Sequence, residues 1–390
     1  MKFNINIPTE IKFGSGNIQA LGIETKRLGS RALILTMTDI VKAGIIDKAI
    51  QSLEEEGIDF LICDQVKPEP FCEDLDAIAK EVRSFAPDVV IGIGGGSVLD
   101  VSKAMAILMT NSGSSWDFID LRGRPPKQLD KLNLPIIAVP TTSGTGAEVT
   151  MNSVLTNSST KQKATIKFPS LFPKVAIVDP ELTLTLPSHI TGMTGFDAFT
   201  HALESYMNIA NRSEFSDMIA MKSMKLSVEY LPQTIAKADF LEGREKCAWS
   251  SVLAGLSIAH AGTTVAHAIG QPATARLGLP HGLAVSIFTI PVLNHTYKHQ
   301  ESRFSKLADF LDPIGSKGLS NSEKAKFCVD IISIHQANCG VNQTLSQNGA
   351  KESIIDELTE DTVGYMGRGL PQHPVTYDKS EIRDIIAEAY

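Results

Sequence analysis

Cysteine is scarce: the 390 residues hold five, scattered at 63, 72, 247, 328 and 339. They form no CxxC pair and no even set, which excludes a disulfide framework. No apolar run approaches the roughly 20 residues of a membrane helix. The start, Met1-Lys2-Phe3-Asn4-Ile5-Asn6, lacks the apolar core of a signal peptide. Positive charge is in deficit, and a net charge of −8 argues against nucleic acid or an anionic membrane as the main partner. Low-complexity tracts and internal repeats are absent too. What is left is 43% hydrophobic and 21% charged, the composition of a soluble globular protein. Its length suits two domains, and a reducing cytoplasm is the expected compartment.

Along the chain, residues 3–13 alternate apolar and polar, as a short hairpin would. Gly14-Ser15-Gly16 breaks that pattern, and Asn17 is placed to cap a helix reaching Leu28. Short apolar runs then alternate with helical stretches. Strands are expected at Ala32–Met37, Phe60–Cys63, Val89–Ile93 and Pro135–Val139, and helices at Val41–Glu56 and Asp74–Ser84. Such alternation predicts a Rossmann-like α/β domain with a parallel sheet. Strand-like runs continue at Val149–Thr156, Lys163–Phe168 and Lys174–Val178. From about Pro187 only helical patterns separated by Gly or Pro remain. The expected division is an α/β nucleotide-binding domain over 1–186 and an all-helical metal-binding domain over 187–390.

Two glycine-rich loops point to a nucleotide. The strand Val89-Val90-Ile91-Gly92-Ile93 runs into Gly94-Gly95-Gly96-Ser97, and Val98-Leu99-Asp100 opens a helix. Glycines let a backbone approach phosphate, and a helix N-terminus offers free N–H groups and a positive dipole end. The plain alternative is a tight turn needing positive φ. This is not GxGxxG, so the dinucleotide fingerprint does not apply. A second loop, Pro140-Thr141-Thr142-Ser143-Gly144-Thr145-Gly146-Ala147-Glu148, follows the next strand and adds hydroxyls at the same sheet edge. Asp39, past the first Rossmann-type strand, is placed to bind ribose hydroxyls and to repel the 2′-phosphate of NADP. A helix cap before Ile40 is the alternative for it.

Metal-ligand chemistry gathers in the second half. Asp197 and His201 stand four residues apart in helix-forming sequence, hence on one helix face. His267 and His281 follow in glycine-containing surroundings. One carboxylate and three imidazoles suit Fe(II), Zn(II) or another late first-row metal, and suit Ca or Mg poorly. For Asp197 and His201 alone, a surface hydrogen bond is the plain alternative.

Together these stretches resemble the iron-containing (group III) NAD(P)-dependent alcohol dehydrogenase family. The matching segments are Gly94–Asp100, Pro140–Glu148, Ala176-Ile177-Val178-Asp179-Pro180-Glu181-Leu182-Thr183, Gly195–Tyr206 and Pro280-His281-Gly282, in the family's order across most of the chain. The resemblance implies a metal in a cleft between the domains, held by Asp197, His201, His267 and His281. It implies that Gly95, Gly96, Ser97 and Asp100 hold the pyrophosphate and nicotinamide side. Thr141, Thr142 and Thr145 would flank the adenine and the nicotinamide ribose, Lys163 would bond ribose hydroxyls, and Asp39 matches members that prefer NAD. Homodimers or larger homo-oligomers are expected, consistent with an open N-terminal strand edge.

Two positions depart from the family. Many members carry a proton-relaying His four residues after the third ligand, where this chain has Gln271, and an Asn where it has His260. Gln cannot titrate, so Gln271 is expected to face the substrate oxygen as a hydrogen-bonding amide. His260 is the substitute candidate for moving the proton, with a structural histidine as its alternative. The expected activity is hydride transfer between NAD(H) and a small alcohol, diol or hydroxy acid and its aldehyde. The rivals are a dehydroquinate synthase-like lyase and a non-catalytic scaffold. The lyase needs a basic cluster, of which residues 250–282 offer only Arg276. A metal-free relative resembling maleylacetate reductases would lack the Asp–His set.

Overall fold

Strands buried on both faces need apolar residues at successive positions, and the first half supplies them. The computed structural model describes residues 3–121, 123–367 and 369–390. Its strands are β1 (Glu10–Phe13), β2 (Arg31–Leu35), β3 (Asp59–Cys63), β4 (Val89–Gly94), β5 (Ile136–Pro140), β6 (Asn152–Asn157), β7 (Gln162–Lys167) and β8 (Val175–Val178). Six of them form one sheet in the order β1-β8-β5-β4-β2-β3, parallel throughout. Leu33 and Leu35 of β2 enter the core on one face, with α4 (Cys72–Val82) and α5 (Gly96–Leu108). Ala32 and Ile34 enter the other, with α1 (Leu21–Leu28) and α3 (Asp47–Glu55). This is the expected Rossmann-like arrangement. β6 and β7 stand apart as an antiparallel hairpin.

The chain divides into two compact units, Asn6–Thr185 and Leu186–Tyr390, the latter taking in the described residues ahead of Asn6. The second unit is helical: α6 (Ser188–Met207), α7 (Glu214–Ala236), α8 (Leu241–Ala261), α9 (Val265–Leu277), α10 (His281–Thr296), α11 (Glu301–Leu311), α12 (Asn321–Asn338), α13 (Ile354–Val363) and α14 (Lys379–Glu388). Among the described residues it has no strand. α6 runs through its core, buried almost continuously from Gly195 to Met207. No single helix among the described residues is long and apolar enough to cross a membrane.

Three local expectations are corrected. Asn17 caps no α-helix: Asn17–Ala20 is a 3-10 turn entered through Gly16, and α1 starts at Leu21. The N-terminal alternation does not make a hairpin: only Glu10–Phe13 is a strand, and it pairs in parallel with β8. Alternation specifies a strand face but not its partner, and Pro8 interrupts the ladder for want of an N–H. The helix expected over Val41–Glu56 is two, α2 (Thr38–Lys42) and α3, separated at Gly44, whose φ of +69° lies in the left-handed region.

Candidate active site

Three helices of the second unit bring the expected metal ligands together. Asp197, His201 and Glu204 recur at i, i+4 and i+7 along α6, one stripe of a buried helix. His267 sits in the first turn of α9, and His281 is the first residue of α10. Gly282 explains how α10 starts so near α6: a Cβ there would lie 2.4 Å from the Met193 carbonyl oxygen and 3.4 Å from Asp197 Cβ. Donor atoms of Asp197, His267 and His281 all lie within 4.8 Å of one another. His201 stands beside that trio rather than in it. Its Nδ1 is 3.9 Å from Asp197 Oδ2, and its ring stacks on His267 with centroids 4.4 Å apart.

The donors fit a late first-row cation. Asp197 Oδ1 and His267 Nε2 are buried, face each other at 3.5 Å and form no hydrogen bond. Burial alone would raise the Asp197 carboxyl, but the imidazoles of His201, His267 and His281 hold it well below the usual carboxylate range. Burial also opposes charge on His267, yet Glu204 and Asp197 hold it up to about 9. Two buried carboxylates thus favour an added positive charge in this pocket, which a divalent cation supplies.

In the first unit the glycine-rich loops meet. Gly94 pairs with Pro140 at the carboxyl ends of β4 and β5. A Cβ on Gly96 would come within 2.5 Å of Thr145 Cγ2, and one on Gly95 within 3.1 Å of Thr142 Cγ2. None of Gly94, Gly95 and Gly96 has positive φ, so the tight-turn alternative fails. The glycines are there for close approach of the threonine loop. Gly95 caps α5 without any side-chain bond, and its carbonyl accepts from the Val98 N–H at 3.0 Å, so the N–H groups of Gly96 and Ser97 are the ones a helix N-terminus offers to an anion. Thr141 donates its backbone N–H to the Gly94 carbonyl at 3.0 Å. Asp39 lies in the first turn of α2, exposed, and the cap position belongs to Met37, so the helix-cap alternative fails as well.

The same unit holds two residues that sequence reasoning missed, Glu69 beside Lys163 and Lys103 beside Asp100. Lys163, 4% exposed, is paired with the Glu69 carboxylate. Glu69 has a φ of +51°, strained for a residue with a side chain, and its N–H donates to Ser97 Oγ at 3.2 Å. Nothing local in Lys67-Pro68-Glu69-Pro70 signals that pairing. Asp100 is joined by Lys103, fully buried, whose Nζ donates to the Asn152 carbonyl at 2.6 Å and lies 3.9 Å from Asp100 Oδ1.

A family model described as iron-containing alcohol dehydrogenase matches residues 8–180, and the C-terminal model of the same family matches 191–390. The chain belongs to the iron-containing alcohol dehydrogenase family. Among relatives of this chain is long-chain-alcohol dehydrogenase 1 of Geobacillus thermodenitrificans, 35% identical, with 97% of this chain and 94% of that one covered. An archaeal alcohol dehydrogenase, ADH/D1, from a Red Sea brine pool superposes with a TM-score of 0.94 at 32% identity, covering 100% of this chain and 99% of its own. Sulfoacetaldehyde reductase from Bifidobacterium kashiwanohense, solved with NAD+, gives 0.87 at 30%, with 100% and 99% covered. Family membership removes the support for the lyase and scaffold alternatives.

The two departures from the family differ in setting. Gln271 follows His267 by four residues on α9, and its Oε1 is buried without a hydrogen bond. A buried amide oxygen of this kind is suited to accept from a hydroxyl or water. His260 is half-buried near the end of α8. Its Nδ1 bonds the Leu256 carbonyl at 2.7 Å, and its ring meets Phe215 edge-on. Those contacts favour the structural alternative for His260.

Proposed function

We propose that this member of the family transfers a hydride between NAD(H) and a small alcohol or aldehyde, with a divalent cation held by Asp197, His201, His267 and His281. The observation that carries the reading is the convergence of a buried carboxylate and imidazoles from α6, α9 and α10. Fe(II) is the expected cation, with Zn(II) the alternative. When bound, the cation polarises the substrate oxygen and the nicotinamide carries the hydride. The protein's own part is to bind and orient. The open N-terminus of α5 takes the pyrophosphate, with Gly95, Gly96, Ser97 and Asp100 around it. Thr141, Thr142 and Thr145 line the same edge, and Lys163, steadied by Glu69, meets the ribose. Gln271 accepts a hydrogen bond from the alcohol or a nearby water. His260 is the remaining titratable candidate for proton exchange, and the bond to Leu256 weakens that role.

The division of labour we propose gives nucleotide binding to residues 1–186 and the cation to 187–390. The test is a panel of short alcohols, diols and ω-hydroxy acids assayed with NAD and NADP after loading with Fe(II) or Zn(II). Turnover with at least one alcohol, lost on chelation and regained on reloading, is expected. Metal-loaded protein inert toward the whole panel would overturn the reading.

Asp39 sets the cofactor preference. Asp39→Gly is expected to raise the NADP-to-NAD activity ratio by roughly tenfold, the scale of one like-charge contact removed. An unchanged ratio would remove Asp39 from the ribose site.

We further propose a homo-oligomer in the cytoplasm. Phe3, Ile5 and Ile7 are 41%, 53% and 42% exposed just ahead of the edge strand β1, a surface that a second copy can cover. The five free cysteines are all buried, which suits a reducing compartment. Light scattering at micromolar protein should give at least twice the 42.1 kDa chain mass.

A further inference from the structure

Behind the ligand His267 lies a buried row of hydrogen bonds that reaches the C-terminal part of the chain. Glu204, 0% exposed, takes four of them. Its Oε2 accepts from His267 Nδ1 at 2.5 Å. Its Oε1 accepts from Thr264 Oγ1 at 3.0 Å and from the backbone N–H groups of Ala266 at 2.7 Å and His267 at 3.3 Å. A carboxylate only accepts, so His267 Nδ1 carries a hydrogen and Nε2 is the nitrogen turned toward Asp197.

The row continues by the same logic. The Thr264 hydroxyl has one hydrogen, which Glu204 takes, so it accepts from His373 Nδ1, 3.1 Å away. His373 Nε2 is then a lone pair, 2.9 Å from Thr296 Oγ1. That oxygen also lies 3.0 Å from the Tyr377 hydroxyl and 2.5 Å from the Val292 carbonyl, so its single hydrogen is shared between two acceptors while Tyr377 donates to it. Thr264, His373 and Thr296 are buried. The His373 segment is itself anchored: Gln372 accepts from the Ile209 N–H at 2.9 Å and from Asn208 Nδ2 at 3.0 Å, just past α6.

We propose that His373 is a positioning residue for the cation site: by donating to Thr264 it commits the Thr264 hydroxyl to Glu204, and the Glu204 carboxylate so held fixes the His267 ring with Nε2 toward Asp197. Partners of this outer kind set the orientation and basicity of a ligand without touching the metal. A histidine 109 residues from Thr264 in sequence therefore controls how well the site holds its cation. The inference rests on the cation reading above.

The test compares His373→Leu with His373→Asn in the full-length protein, since Asn Nδ2 can take the place of the ring Nδ1. Co(II) is the probe, its dissociation constant read by chelator competition and its ligand field by the visible spectrum. His373→Leu should weaken Co(II) binding by about 10–100-fold and shift the bands, and His373→Asn should stay within a few-fold of wild type. Wild-type affinity and bands in a folded His373→Leu would overturn the proposal, as would equal losses in both variants. Should the leucine variant not fold, Thr264→Val against Thr264→Ser makes the same comparison, and wild-type Co(II) affinity in Thr264→Val is the overturning result. His267→Ala separates the two levels. If it leaves Co(II) affinity unchanged, the cation reading fails; if it alone removes binding, only the role of His373 fails.

Discussion

Replacing His267 by alanine is expected to lower metal content and turnover together, each by more than about 100-fold. Losing an outer partner of a ligand already costs roughly 10–100-fold, and His267 supplies the donor nitrogen itself. It is 3% exposed, lies 3.5 Å from Asp197 Oδ1 and is hydrogen-bonded to Glu204. Its loss therefore also leaves Glu204 with a missing donor, and some loss of stability should accompany the lost activity. His281→Ala gives the cleaner comparison, because His281 is only half-buried at the start of α10. Metal analysis and alcohol oxidation on both variants decide the matter. Full metal occupancy with unchanged turnover would remove the site.

The second large effect is on stability, at Lys103. Three ionisable groups lie together in the first unit, Lys103 and Glu148 buried and the Asp100 side chain 16% exposed. Burial raises the Asp100 carboxyl to about 6 and the Glu148 carboxyl to about 7, with Lys103 opposing both shifts. Burial lowers the Lys103 ammonium to about 8, against the pull of Asp100 and Glu148. The two carboxyls have raised folded pKa values, so their contribution is fully present below their unfolded values and drains away as pH rises through about 6 and 7. Lys103 is the reverse: its contribution is present above its unfolded value and is lost as pH falls through about 8. Between about pH 7 and 8 Lys103 is the counter-charge to the buried Glu148 carboxylate and the partly buried Asp100 carboxylate, whereas at pH 5 both carboxyls are protonated and need none. Lys103→Met is therefore expected to cost about 3–5 kcal/mol near pH 7.5, the range for breaking a buried ion pair, and much less at pH 5. Urea unfolding at pH 5, 6.5 and 7.5 measures it. A deficit that does not change with pH would show that Lys103 acts only through its bond to the Asn152 carbonyl.

Local order was legible wherever one short segment carries the whole signal. The Asp197–His201 spacing on a helix, the run Gly94-Gly95-Gly96 after an apolar strand and the helical character beyond Pro187 all depend on residues within a turn or two of one another. The same locality accounts for the misses. The alternation over residues 3–13 could not say that Glu10–Phe13 joins a strand 165 residues away. The periodicity of Val41–Glu56 could not reveal that Gly44 takes a left-handed φ and splits the helix. Glu204 had a trace in sequence, three residues after His201 on the same helix face, but its purpose lies in Thr264 and His267.

By itself the sequence determined a Rossmann-like half, a helical half, two glycine-rich loops and four residues with metal-ligand chemistry. Those follow from periodicity and side-chain type, which are properties of neighbours along the chain. Only the tertiary structure decided that α10 begins against α6 through Gly282, that Thr142 and Thr145 occupy the space left by Gly95 and Gly96, that Lys163 is claimed by Glu69, and that a row from Tyr377 to Glu204 stands behind His267. Each is a contact between segments far apart in sequence. Such contacts are selected by the burial of polar atoms, which need partners wherever the packed core places them, and that requirement is not written in any local pattern.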